Sequence, residues 1–103
     1  PGAPDAVHLV DYGAALRSST PVDAIILSPL DSAVPLYYSE RHLVRGVANE
    51  AILKEELPIV RREFPGAPIY LAVPPALTAG FADAMKTGNP VKSDADAIVV
   101  ALR

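Results

Sequence analysis

Three short apolar runs open on the same Asp-Ala step: Asp5-Ala6-Val7-His8-Leu9-Val10, Asp23-Ala24-Ile25-Ile26-Leu27 and Asp96-Ala97-Ile98-Val99-Val100. A fourth, Pro68-Ile69-Tyr70-Leu71-Ala72-Val73, follows a Pro-Gly turn. Runs of this length without apolar/polar alternation belong to strands covered on both faces. They predict strands over 6–11, 22–27, 69–73 and 98–101, with the last three adjacent, parallel and buried. Unequal spacing between the Asp-Ala copies excludes a repeat architecture.

Helical periodicity fills the space between the second and fourth runs. Val44, Val47 and Ala51, then Leu53, Leu57, Val60 and Phe64, recur at spacings of three and four. This predicts helix from Glu40 to Phe64, broken near Leu57, because Pro58 removes a helix hydrogen bond and clashes with the preceding turn. Leu77, Phe81 and Ala84/Met85 predict a further helix over 76–87, ended by Gly88 in left-handed geometry. Pro29–Ser39 reads as a long irregular connection and Asn89–Asp94 as a polar loop. Ala14–Thr20 has room for one helical turn.

Strands alternating with helices give an α/β fold. The expected architecture has three layers around a mostly parallel four-stranded sheet, Rossmann-like or flavodoxin-like. The link from Asp11 to Pro21 is short for a parallel crossover, so the first strand is antiparallel or at an edge. At 103 residues the chain reads as one domain, 1–103, or as a fragment of a longer chain.

Composition narrows the partners. Half the residues are hydrophobic, which excludes disorder over most of the length. A net charge of −3 argues against nucleic acid, which needs a basic face. No apolar run approaches the ~18–20 residues of a membrane span. Zero cysteines exclude disulfides and thiolate metal sites. Localisation is not specified, with the cytoplasm as the default.

Open α/β sheets bind ligands at the carboxyl ends of their strands. That rule selects Asp11, Tyr12 and Gly13 after the first strand, Ser28, Asp31 and Ser32 after the second, and Thr78 after Pro74-Pro75. Tyr38, Arg41 and His42 form a second cluster with Tyr37 and Arg45, offering aromatic, guanidinium and imidazole groups. Each set has a plainer reading, as solvated connections or as tyrosines packed under a loop. His8, inside an apolar pattern, reads as a buried, hydrogen-bonded histidine. Two histidines without metal-ligand spacing give no metal site. The glycines form neither G-x-G-x-x-G nor G-x-x-x-x-G-K, so no nucleotide cofactor is expected. A G-x-S-x-G elbow is also absent. Pro1 is not read as a catalytic amine, since Gly2-Ala3-Pro4 separate it from the first apolar run.

The segment Glu56–Ala76, with its Phe64-Pro65-Gly66-Ala67 turn, apolar run and Pro74-Pro75, resembles the helix–turn–strand segment of SGNH (GDSL-type) hydrolases. That family carries Gly-Asp-Ser, Gly-x-Asn-Asp and Asp-x-x-His motifs, and none of them occurs here. The function expected is therefore a non-enzymatic α/β module that binds a protein partner, a second copy or a small ligand at the carboxyl ends of its strands. The alternative is a small hydrolase or transferase built on Ser28, Asp31, Ser32 and His42, which requires a serine within hydrogen-bond reach of His42. A terminal strand at a sheet edge would need cover from another chain, with Tyr37, Tyr38 and Phe81 as candidate contacts.

Overall fold

A computed structural model describes residues 8–103. The chain runs α1 (Leu9–Ser19), β1 (Ile25–Leu27), α2 (Val34–Ser39), β2 (His42–Val44), α3 (Glu50–Glu63) and β3 (Ile69–Val73). A 3-10 helical stretch, Pro75–Phe81, then leads into α4 (Ala82–Thr87), β4 (Asn89–Ser93) and β5 (Ile98–Ala101). The strands form one open mixed sheet of five, ordered β2-β1-β3-β5-β4. β1 pairs in parallel with β2 and with β3, whereas β5 is antiparallel to both β3 and β4.

Two apolar cores sandwich the sheet. Ile25, Leu27, Ile69, Leu71, Val73 and Val100 face α3, α4 and Phe81 on one side. Ile26, Ala72 and Val99 face Tyr12, Ala15 and Leu16 of α1 on the other. Neighbouring residues of a strand point to opposite faces, so a covered sheet needs unbroken apolar runs. Ile25, Leu71 and Val99 are accordingly buried, as the sequence predicts.

Several expectations are corrected. Leu9, Val10 and Asp11 belong to a helix, not a strand. Leu9, Tyr12, Ala15 and Leu16 lie three and four apart, and Tyr12, Ala15 and Leu16 are buried on one face. Ala6 and Val7, also part of that expected strand, lie outside the described residues. The helix expected from Glu40 begins only at Glu50, where Asn49 caps it by accepting from the Ile52 amide. Residues 42–44 form a short strand in its place.

α3 also runs unbroken through Pro58. Leu53 and Val60, on either side of the proline, are both buried, worth ~1.5–3 kcal/mol each. Pro58 and Lys54, whose carbonyl loses its partner, face solvent.

The sheet has five strands and not four because Asn89–Ser93, expected as a loop, pairs with β5. β5 is antiparallel because the 94–97 turn returns the chain directly along β4. Gly88 ends α4 at φ −78°, outside left-handed geometry, so its place reflects crowding: an added Cβ would lie 2.8 Å from the Ala84 carbonyl oxygen.

The edges also differ from expectation. The last strand is interior, and the outer strands are β2 and β4. β2 has three residues, and β4 carries Pro90, Lys92 and a register shift between them. Short length, proline, lysine and bulges are devices that discourage edge-to-edge pairing. The edge argument for a covering chain therefore lapses.

Candidate functional site

Strand order places the crevice of a parallel sheet where successive crossovers diverge. Here that point lies between β1 and β3, and Tyr12 of α1 fills it. The Tyr12 hydroxyl has one proton, which it donates to the Ala72 carbonyl oxygen at 2.7 Å. In its 2.8 Å contact with Ser28 Oγ it must then accept, with Ser28 donating. Ser28 Oγ in turn accepts from the Leu30 amide at 3.3 Å. Burial pushes the Tyr12 phenol well above its usual range, and the Ser28 hydrogen bond offsets this only in part. The phenol therefore stays neutral and keeps its proton for Ala72.

Ser28 is fully buried with its proton committed to Tyr12. His42 pairs in register with Ile25 at the start of β1, while Ser28 follows Leu27 at its end. Serine and imidazole thus sit at opposite ends of the sheet. Ser32 Oγ accepts from the Val34 amide at the start of α2, and Thr78 Oγ1 donates back to the Pro75 carbonyl. The hydrogen bonds of both hydroxyls are local turn contacts.

Arg41 is committed to structure. Its Nε donates to Thr20 Oγ1, Nη1 to the carbonyls of Ser39 and Glu40, and Nη2 to those of Arg17 and Thr20. These five contacts match the five donors of a guanidinium. A cation on the last carbonyls of α1 also opposes the negative end of the helix dipole. His42 is exposed, with its ring 4.7 Å from that of Phe64. His8, expected in the interior, is exposed at the start of α1.

Gly13 is buried where α1 meets α2. A Cβ there would lie 2.8 Å from Tyr38 Cβ and 3.1 Å from Pro35 Cα. This close approach seats α2 through Pro35 and Ser39 and turns its remaining residues outward. Tyr37 is 76% exposed, Tyr38 42%, and Val34 and Leu36 37% each. The two tyrosine rings meet edge to face at 5.0 Å. Phe81, expected beside them, is buried in the core at 1%. Beyond the amino end of α2, Arg45 donates to the Asp31 carbonyl at 3.0 Å, and both residues are exposed. At its carboxyl end Arg17 pairs with Glu40 at 3.2 Å. Asp11 is exposed on α1.

Apart from Asp11 and Thr78, the predicted residues therefore separate into three groups: a closed Tyr12–Ser28 contact, an Arg41 cap with His42 at the opposite end of the sheet, and the surroundings of α2. Sequence reasoning named Tyr38 and Asp31 but not Leu36 or Val34. Their signal was five successive uncharged positions from Val34 to Tyr38 in a segment read as loop.

A cavity of about 200 Å³ lies between α3 and α4, floored by Leu53, Leu57, Ala84 and Leu102. Ligand pockets usually hold ~300–1,000 Å³. Its rim is self-paired: Lys54 meets Asp83 at 3.1 Å, and Glu50 accepts from the Asp83 and Ala84 amides. Among the described residues no cluster of His, Asp or Glu side chains is arranged to hold a metal ion. No helix among them is long and apolar enough to cross a membrane. Compared with known protein families, curated proteins and solved structures, the chain matches none.

Proposed function

We propose that this chain is a non-enzymatic interaction module whose docking face is the outer surface of α2. One observation carries the reading: a helix of six residues leaves Val34, Leu36, Tyr37 and Tyr38 in water together. Contiguous exposed apolar surface marks interaction sites, and tyrosine is enriched at their centres. The small-ligand reading finds less support, since Tyr12 fills the crevice that a doubly wound, Rossmann-like sheet would offer. The hydrolase reading also finds less support, since Ser28 gives its proton to Tyr12 and Ser32 Oγ takes the Val34 amide.

Photocrosslinking tests the proposal. A benzophenone amino acid replaces Tyr37 in one variant and Val22 in another. Val22 is 81% exposed but outside the α2 face, so it serves as the control. Irradiation in an extract of the source cells is expected to give discrete protein adducts at position 37 and only background at position 22. Equal labelling at the two positions would overturn the reading.

A further inference from the structure

We draw no further inference here: the strongest candidate, the exposed apolar face of α2 formed by Val34, Leu36, Tyr37 and Tyr38, carries nothing beyond the docking reading already given, because nothing in the structure shows what covers it.

Discussion

The hydroxyl of Tyr12 lies 2.7 Å from the carbonyl oxygen of Ala72, joining the first turns of α1 to the end of β3. Both groups are buried, so neither can turn to water if the other is removed.

Tyr12→Phe is therefore expected to destabilise the fold by ~1–3 kcal/mol, the cost of leaving buried polar groups unpaired. Urea unfolding measures this. Ser28→Ala added to Tyr12→Phe should cost less than it does alone, because the partner of the serine proton is already gone. Strict additivity of the two changes would show that they do not share one hydrogen-bonded unit.

Gly13→Ala should be destabilising although alanine is the better helix former by ~1 kcal/mol. The new methyl would press on Tyr38 Cβ and on the Pro35 backbone. Overpacking of this kind costs ~1–3 kcal/mol, and here it pushes α2 off α1. Thermal unfolding should show the loss, and near-ultraviolet circular dichroism should show a changed tyrosine environment. A stabilised variant would mean that α2 yields freely.

Pro58→Ala should stabilise α3. It restores the donor missing opposite the Lys54 carbonyl, relieving up to ~3 kcal/mol, less ~0.4–1 kcal/mol for the freer unfolded chain. Denaturant midpoints decide. A lower midpoint would mean that the proline is needed to seat Val60.

Asp94 sets an acid limb. The ammonium of Lys92 at 2.8 Å, then the Asp96 amide, hold its carboxyl below the ordinary value of 3.8. A group whose folded value is depressed contributes stability above its unfolded value and loses it as pH falls through the folded one. Stability should therefore fall below about pH 4, and Asp94→Asn should flatten that part of the profile. The side chain lies in solvent, so added salt should weaken the same limb. An unchanged profile would show that the turn does not depend on the charge.

β1, β3 and β5 were legible because two covered faces force unbroken apolar runs, which no surface segment would carry. Their relative direction was not, since Val99 is buried whether its strand runs with Leu71 or against it. β4 escaped notice because an outer strand is half in water, and Pro90 with Lys92 reads as a turn. His42-Leu43-Val44 passed for helix because Val44, Val47 and Ala51 happen to continue the period of α3. That misplacement also let His42 be set beside Ser28 in the hydrolase alternative. Their separation depends on which end of the sheet each strand exposes, a property of topology and not of local spacing.

β5 follows β4 in the chain yet stands between β4 and β3. The sheet therefore cannot grow outward strand by strand beyond β3. Either β4 and β5 first close their own hairpin and then dock as a unit, or β3 waits with a bare flank until β5 arrives. An isolated hairpin is at best marginal in water, so the bare flank should persist during refolding. Over that interval Leu71 and Val73 offer an open strand to any neighbouring molecule. The folded protein guards its outer strands with length, proline and lysine, but this inner seam has only the speed of its own closure for protection.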